Sequence, residues 1–281
     1  MGQSMAGRLM DGGSPLSIYT RTKAKASRLL ARGARYADNP ADAAKNADVV
    51  FICVTDSPDV VDVIEGENGI LKSARKGLIV VDHSTISPAV TKNLSARLAE
   101  KGTTMLDAPV SGGDIGARNG TLSIMVGGDA AALEKVDPLL RRMGTTITHC
   151  GPSGAGQLTK LVNQILLSVT NLAVCEALTF AKKHGLKLET TIQAVGGGAA
   201  GSWQLANLGP KMAIGDMRPG FMIDLQQKDL RLVLEAAETS NTSLAATSLV
   251  HQFFAAAQAA GHGRDGTQAL YTVVENLASP H

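Results

Sequence analysis

The chain has little of the material on which several large classes of protein depend. It has only three cysteines in 281 residues, and no two of them form a CxxC pair. That pattern excludes a disulfide framework and a cysteine zinc site, and it favours a reducing compartment. Aromatic residues make up 3% of the sequence, which leaves few platforms for stacking nucleobases. With 27 basic and 25 acidic residues there is no excess of either charge to attract nucleic acid.

Targeting and membrane signals are also missing from the sequence. Residues 1–10 contain no basic segment followed by a long apolar stretch, so they do not read as a secretory signal. The longest apolar region, residues 158–180, is interrupted by polar and charged side chains and is typical of a core helix. The six histidines are scattered, with no zinc-ligand spacing. We therefore expect a cytoplasmic protein with no metal, no nucleic-acid partner and no membrane partner.

Short β-branched runs alternate with amphipathic stretches through the first half of the chain. Strands are predicted at residues 16–19, 49–54, 78–82, 104–107, 123–126 and 145–148. Helices are predicted between several of them, at residues 22–32, 88–101 and 130–143. Alternation of this kind indicates parallel strands joined by crossover helices. The first half is therefore predicted to be an α/β Rossmann-type doubly wound sheet.

The strand signals stop near residue 156, and only helical patterns follow. Helices are predicted at residues 158–184, 188–195, 225–238, 244–260 and 266–278. The glycine-rich segment at residues 150–156 separates the two patterns. We therefore predict a dinucleotide-binding domain over residues 1–153. An all-α domain follows over residues 154–281, and it begins with a long interdomain helix.

The start of the chain carries only part of a dinucleotide-binding pattern. Such a domain normally opens with a strand, a G-x-G-x-x-G turn and a helix, whereas here residues 3–11 already read as that helix. Gly2 then corresponds to the third glycine, and the first strand and first two glycines are expected to be absent. The next strand ends at Thr20-Arg21-Thr22, where the adenosine ribose is usually bound. An arginine there favours NADP over NAD, although Arg21 could also lie on an ordinary solvated loop.

Ser111, Gly112 and Gly113 follow a predicted strand and form a candidate anion site. Consecutive glycines let backbone N–H groups turn toward one point beside a hydroxyl, an arrangement that suits a carboxylate. An ordinary strand-to-loop turn would give the same sequence.

Lys160 and Asn163 lie three residues apart in the long predicted helix and share one face. The same face includes Leu167 and Val174, so we expect it to be otherwise apolar. Burial lowers the pKa of a lysine toward neutrality, which suits general acid–base work. The alternative is a lysine that extends from the start of the helix into water. The glycines at residues 151–156 match neither the dinucleotide fingerprint nor a P-loop, and we expect them to allow close backbone approach.

Taken in order, these segments resemble the 3-hydroxyisobutyrate dehydrogenase family of β-hydroxyacid dehydrogenases. The resemblance covers essentially the whole chain. It depends on residues 82–88 (DHSTISP), 107–113 (DAPVSGG), 151–163, 228–230 (KDL) and 265–270 (DGTQAL).

The resemblance implies a role for each candidate residue. Lys160 is implied to be the catalytic lysine, and Asn163 to place the substrate. The substrate carboxylate is implied to bind Ser111, Gly112 and Gly113. The implied cofactor contacts are Gly2, Thr20, Arg21, Thr22, Thr55, Thr85 and Lys228. The family usually has Met-Leu-Pro where this chain has Val54-Thr55-Asp56, and it has the complete glycine fingerprint.

The implied reaction interconverts a small hydroxy acid and its semialdehyde with NADP or NAD. Tartronate semialdehyde and glyoxylate or succinic semialdehyde reductases are close alternatives, and Ser202, Trp203 and Phe221 are available to line a pocket. A catalytically inactive scaffold with a dinucleotide fold is the non-enzymatic alternative. We also expect a homodimer or homotetramer, because the helical half offers apolar faces.

Overall fold

The computed structural model describes residues 1–278 and divides the chain into two compact units, Met1–Lys160 and the residues from Leu161 onward. The strands of the first unit are β1 (Ser17–Ile18), β2 (Arg35–Tyr36), β3 (Val49–Ile52), β4 (Ile79–Asp82), β5 (Thr104–Asp107), β6 (Val110–Ser111), β7 (Leu122–Gly127) and β8 (Gly144–Gly151). Its helices are α1 (Gly2–Asp11), α2 (Ser27–Leu30), α3 (Pro40–Ala44), α4 (Ser57–Glu65), α5 (Pro88–Ala99), α6 (Gly113–Asn119) and α7 (Ala130–Leu140). Two short 3₁₀ turns lie at Lys23–Ala26 and Ile70–Lys72.

Six strands form one sheet in the order β3-β4-β5-β7-β6, with β8 beside β7. Strands β1 and β2 pair in parallel as a separate small sheet. The pairs β3–β4, β4–β5 and β7–β8 are parallel as predicted. The expectation of parallel pairing is wrong for the pairs β5–β7 and β6–β7, which are antiparallel. The segment between β6 and β7 holds only the short helix α6 and does not form the crossover that parallel strands require.

Strand β4 shows why this sheet is buried on both faces. All four of its residues are buried, and the three apolar ones alternate between two separate cores. Ile79 and Val81 join a core that includes α1 and α7, whereas Val80 joins one that includes α4 and α5. Helices therefore cover both faces of the sheet, as in a doubly wound α/β fold.

The predicted helix at residues 22–32 is only partly present. The chain forms a 3₁₀ turn at Lys23–Ala26 and then the four-residue helix α2. In this stretch only Ala26 and Leu29 are buried, so there is too little apolar surface to anchor a longer helix. The predicted strand at residues 16–19 is likewise reduced to Ser17–Ile18.

The second unit is helical. Helix α8 (Ala155–Lys183) starts in the first unit and continues into the second, so the domain boundary predicted after residue 153 stays a prediction. The later helices are α9 (Leu188–Gly196), α10 (Trp203–Asn207), α11 (Gly209–Ile214), α12 (Ile223–Thr239), α13 (Ala245–Ala259) and α14 (Leu270–Leu277), with a 3₁₀ turn at Thr267–Ala269. Phe254, Leu230 and Leu270 are fully buried in the main core of this unit. An α/β domain followed by helices confirms the predicted fold class.

Helix α8 is long and apolar enough to cross a membrane by length and composition alone. However, 44% of its most apolar window is buried inside the protein. The core helix of a globular protein passes the same test, and the buried side chains of α8 include Gln164, Ser168 and Asn171. These observations favour the predicted role as a core helix.

Candidate active site

Several of the predicted cofactor residues lie along one edge of the first unit, where strands β3, β4 and β5 end. A Cβ on Gly2, at the start of α1, would lie 3.4 Å from the Cβ of Cys53, which follows β3. The Ser84 hydroxyl, just after β4, accepts a hydrogen bond from the Val54 N–H at 2.9 Å. Because these contacts join the start of α1 to the loops after β3 and β4, they define one edge. Ligands bind at this edge in doubly wound sheets.

The loop after β1 reaches the same edge through an ion pair. The Arg21 guanidinium lies 2.8 Å from the Asp59 carboxylate in the first turn of α4, and 68% of the Arg21 side chain is exposed. Tyr36 holds the other side of the loop, because its hydroxyl donates to the Thr20 carbonyl at 3.3 Å. The Lys23 ammonium also lies 4.6 Å above the centre of the Tyr36 ring. An exposed but anchored guanidinium therefore follows β1, and Thr22 beside it is exposed.

Thr55 and Thr85 lie in the loops after β3 and β4. Thr55 is exposed and directly precedes Asp56, which caps helix α4 through a capping box with Asp59. Thr85 is half-buried, and the main chain on both sides of it is bound by the side chain of Gln157. The Gln157 Nε2 donates to the Ser84 carbonyl at 2.7 Å, and its Oε1 accepts from the Ile86 N–H at 3.1 Å.

The predicted carboxylate-binding residues lie where strand β6 meets helix α6. Ser111 is half-buried at the end of β6, opposite Ser123 of β7. Gly112 and Gly113 have φ values of +126° and +62°, which residues with a side chain rarely adopt. A Cβ on Gly112 would also approach Leu122 Cδ2 to 3.2 Å. The two glycines therefore have a conformational role in this turn, as their sequence suggested.

A buried carboxylate, Asp107, joins strand β5 to the start of helix α8. Its Oδ1 accepts from the Gly154 N–H and its Oδ2 from the Gln157 N–H, both at 2.8 Å. Burial raises the pKa of Asp107, and the N–H donors oppose that rise. Two glycines leave space for the Asp107 carboxylate. A Cβ on Gly127 would lie 2.6 Å from Oδ1, and a Cβ on Gly156 would lie 2.8 Å from Oδ2. The close approach predicted for this glycine-rich segment is therefore present at Gly156.

Lys160 follows Gln157 by three residues on α8 and is buried, with 7% of its surface exposed. The expectation that its helix face is otherwise apolar is wrong. Gln164, Ser168 and Asn171 are buried at the following turns, together with the apolar residues Val174, Cys175 and Leu178, so the buried side of the helix carries both kinds of side chain. Lys160 therefore begins a row of buried polar side chains.

In the second unit, the predicted residues Asn163 and Lys228 are joined by two residues that were not predicted. The Asn163 Nδ2 donates to the Gln164 Oε1 at 2.8 Å. The Gln164 Nε2 donates to the Asp229 carboxylate at 2.5 Å, and the Lys228 ammonium lies 2.7 Å from the same carboxylate. Asn163 and Lys228 therefore belong to one hydrogen-bonded network. Of the suggested pocket residues, Ser202 caps helix α10, Trp203 is 63% exposed and Phe221 is half-buried.

His83 also lies at the strand ends and was not predicted to matter. It is buried, its Nδ1 lies 2.6 Å from the Ala108 carbonyl, and its ring stacks on Phe51. A carbonyl can only accept, so Nδ1 carries the proton. Within residues 1–278, Nε2 has no hydrogen-bond partner. Burial lowers the pKa of His83 to about 4, so the ring is neutral at physiological pH.

The residues missed from the sequence share a recognisable signal. Asp107 and His83 lie within motifs of the sequence, but no role was predicted for them. Gln157, Gln164 and Asp229 are polar residues at buried positions of helices. A buried polar residue is costly unless it is hydrogen-bonded, so such positions could have been singled out as junctions.

The donor set at the strand ends fits a dinucleotide. Helix α1 starts without a side-chain cap and has no acidic residue of its own in its first turn, and the nearby Asp114 carboxylate lies 3.9 Å from the amino group of Met1. Thr20, Thr55 and Thr85 bring side-chain hydroxyl groups to this edge, and Arg21 brings a guanidinium. Among residues 1–278 there is no group of three or more acidic, histidine or cysteine side chains that could hold a metal ion.

Comparison with known proteins gives two matching family models. The model of the NAD binding domain of 6-phosphogluconate dehydrogenase matches residues 1–151. The model of the NAD-binding domain of NADP-dependent 3-hydroxyisobutyrate dehydrogenase matches residues 154–274.

Individual relatives are similar over almost their whole lengths. The 2-hydroxy-3-oxopropionate reductase of Escherichia coli is 41% identical over 99% of this chain and 95% of its own. The Mycobacterium tuberculosis 3-hydroxyisobutyrate dehydrogenase with L-serine has a TM-score of 0.89 and 31% identity, covering 99% of this chain and 96% of its own. A structure described as Psf3 in complex with NADP⁺ and 2-OPP has a TM-score of 0.90 and 26% identity, with 98% and 96% covered.

These matches cover both units, and they agree with the strand-end donor set and the sequence motifs. They also support an enzyme over the alternative of a catalytically inactive scaffold, because the relatives are oxidoreductases. The cofactor is a nicotinamide dinucleotide. The chain belongs to the 3-hydroxyisobutyrate dehydrogenase family of NAD(P)-dependent hydroxyacid oxidoreductases.

Proposed function

We propose that this enzyme reduces a small carboxylate-bearing semialdehyde with NADPH, and that Lys160 is its general acid. One observation carries the proposal. The Asp107 carboxylate joins the start of the segment that contains Ser111 to the first turn of the helix that carries Lys160. One buried carboxylate therefore links the proposed anion-binding segment to the helix that carries the proposed proton donor.

The chain's own residues bind the substrate and move the proton. The nicotinamide, when bound, donates or accepts the hydride. In reduction, the Lys160 ammonium gives a proton to the carbonyl oxygen, and in oxidation the neutral amine takes the hydroxyl proton. Ser111, Gly112 and Gly113 bind the carboxylate, so the substrate is oriented from the end that does not react. Asn163, one turn after Lys160 on α8, helps to place the substrate.

The cofactor is proposed to bind along the strand-end edge of the first unit. Gly2 at the start of α1 faces the pyrophosphate, and Thr55 and Thr85 contact the dinucleotide from the loops after β3 and β4. Thr20, Arg21 and Thr22 surround the ribose. Arg21 favours NADP because a guanidinium forms charge-assisted hydrogen bonds with a 2′-phosphate. Lys228 is proposed as a further cofactor contact.

Several finer features are proposals of the same kind. Candidate substrates are 3-hydroxyisobutyrate with its semialdehyde, tartronate semialdehyde, glyoxylate and succinic semialdehyde. We also propose a homodimer or homotetramer that acts in the cytoplasm. The E. coli relative, 2-hydroxy-3-oxopropionate reductase, supports the tartronate semialdehyde option.

A test of the proposal compares each semialdehyde with an analogue in which an amide replaces the carboxylate. We expect NADPH oxidation with at least one of the acids, and a kcat/KM for its amide analogue that is about 100-fold lower. That factor corresponds to the loss of one or two hydrogen bonds to a charged group. Ser111→Ala should reduce the ratio of kcat/KM between the acid and its amide. Ser123→Ala, on the facing strand β7, is the control and should leave this ratio unchanged. Equal kcat/KM for acid and amide would contradict the proposed carboxylate site.

A further inference from the structure

Both ends of the Gln157 side-chain amide are used on the main chain around one residue. Gln157 has none of its surface exposed. Its Nε2 donates to the Ser84 carbonyl at 2.7 Å and its Oε1 accepts from the Ile86 N–H at 3.1 Å. Thr85 lies between these two contacts. The loop after β4 is therefore attached to the first turn of α8 on both sides of Thr85.

The main chain of Gln157 is fixed as well. Its N–H donates to the Asp107 carboxylate at 2.8 Å, and Asp107 also binds the Gly154 N–H. A Cβ on Gly156 would lie 2.4 Å from the Met125 carbonyl, so the helix start is packed tightly against β7. Gln157 therefore has little freedom to move relative to strands β5 and β7. The Thr85 loop is therefore bound to a part of α8 that is itself fixed to β5 and β7.

Lys160 is one helical turn beyond Gln157 and on the same side of α8. The two residues are separated only by backbone that is hydrogen-bonded within the helix. Gln157 consequently connects the Thr85 loop and Lys160 through one short and rigid path. Hydride transfer requires the cofactor and the proton donor to keep fixed positions relative to the substrate. A displacement of either group by about 1 Å can lower the rate about 100-fold.

We infer that Gln157 is a positioning residue that holds the Thr85 loop at a fixed distance from Lys160 for hydride transfer. The inference rests on the proposed function, in which Thr85 contacts the cofactor and Lys160 moves the proton. Gln157 itself contacts neither substrate nor cofactor in this account. If Gln157 only filled a buried position, its loss would lower stability and leave the chemical step of the folded enzyme unchanged.

The test uses the full chain with Gln157→Met, which keeps the length of the side chain and removes both hydrogen bonds. In the cofactor-free protein we expect the Ile86 amide to exchange its hydrogen faster, because it loses its acceptor. At saturating NADPH, the single-turnover rate per folded, cofactor-bound enzyme should fall at least about tenfold. Deuterium at the transferred position of NADPH should slow that turnover at least as strongly as in the wild type.

Gln268→Met is a matched control in the second unit. Gln268 is also buried, and its Nε2 donates to the Asp216 and Arg218 carbonyls at 2.9 and 3.0 Å. This variant should change the melting temperature but not the Ile86 exchange or the single-turnover rate. If Gln157→Met does not fold, Gln157→Glu serves in its place. At a pH at which the new carboxyl is ionised, it retains an acceptor for the Ile86 N–H and lacks the donor to the Ser84 carbonyl, so the rate is again expected to fall.

The outcomes separate the inference from the proposed function. If the wild type turns over and the variant keeps its single-turnover rate per folded, cofactor-bound enzyme, the positioning role is overturned and the proposed function stands. The positioning role is also overturned if the variant's lower turnover is explained entirely by a smaller fraction of folded or cofactor-bound molecules. If the wild type oxidises neither NADPH nor NADH with any of the acids, the proposed function and the inference fail together.

Discussion

Arg21 is exposed to solvent, yet its guanidinium is held by the Asp59 carboxylate at 2.8 Å. An exposed ion pair of this kind contributes at most about 1 kcal/mol to stability. A phosphate dianion can accept two parallel N–H bonds from a guanidinium and is the stronger partner. Asp59 therefore holds Arg21 near the proposed ribose site without preventing a 2′-phosphate from engaging it.

Replacing Arg21 by Asp should shift the cofactor preference from NADPH toward NADH. The variant loses the charge-assisted bonds and places a carboxylate where the 2′-phosphate would lie. We expect the ratio of the NADH and NADPH dissociation constants to fall at least tenfold, or about 1.4 kcal/mol. Fluorescence titration with each cofactor measures this ratio. Arg141→Asp is the control, because Arg141, directly after α7, has a similar exposed ion pair with Asp137. An unchanged ratio would remove Arg21 from the cofactor site.

At the scale of elements, three neighbouring strand ends meet at one buried imidazole. His83 follows β4, its ring stacks on Phe51 of β3, and its Nδ1–H donates to the Ala108 carbonyl just after β5. The register pairs Ile52 with Asp82 and Asp82 with Asp107, so these ends are level across the sheet. A neutral imidazole fits this apolar position, whereas a protonated one would be a buried charge.

Stability should therefore fall in mild acid because of His83. Burial lowers the pKa of His83 in the folded protein to about 4, below its ordinary value of 6.5 in the unfolded chain. The unfolded state binds the proton first, so the stability is complete above pH 6.5 and is lost as the pH falls toward 4. The full loss amounts to about 3 kcal/mol.

Urea unfolding of the wild type and of His83→Asn at several pH values measures this effect. Asn keeps a donor near the Nδ1 position and does not titrate in this range. The difference between the two stability curves should narrow as the pH falls from 6.5 toward 4, since all other titrating groups are shared. Parallel curves would show that His83 does not titrate as its burial implies.

For the whole molecule, the order of elements could be predicted and the contacts between them could not. The β-branched runs located strands β3, β4, β5, β7 and β8 because a sheet buried on both faces needs apolar residues throughout. The direction of β7 was missed because strand direction depends on the connection and leaves no local signal. The two-residue strands β2 and β6 were missed because they are too short to show a period.

In the candidate site, too, residue types could be predicted from the sequence and the contacts between them could not. The motifs pointed to Lys160, Ser111 and the glycines, because chemistry of this kind restricts residue types at a fixed spacing. The partners of Asp107 and Gln157 could not be predicted in this way, since these contacts join residues that lie 47 and 73 positions apart in the sequence. Long-range hydrogen bonds of this kind become visible only when the strand ends and the start of α8 are placed together.

The central claim is that Lys160 moves the proton in a nicotinamide-dependent reaction. The most direct measurement is the turnover of Lys160→Met, together with its NADPH dissociation constant. Lys183→Met, at the exposed end of the same helix, is the control. We predict that turnover falls about 10²–10⁴-fold, the usual contribution of a general acid, while NADPH binding changes by less than about threefold. Turnover close to that of the wild type, with cofactor bound, would contradict the account.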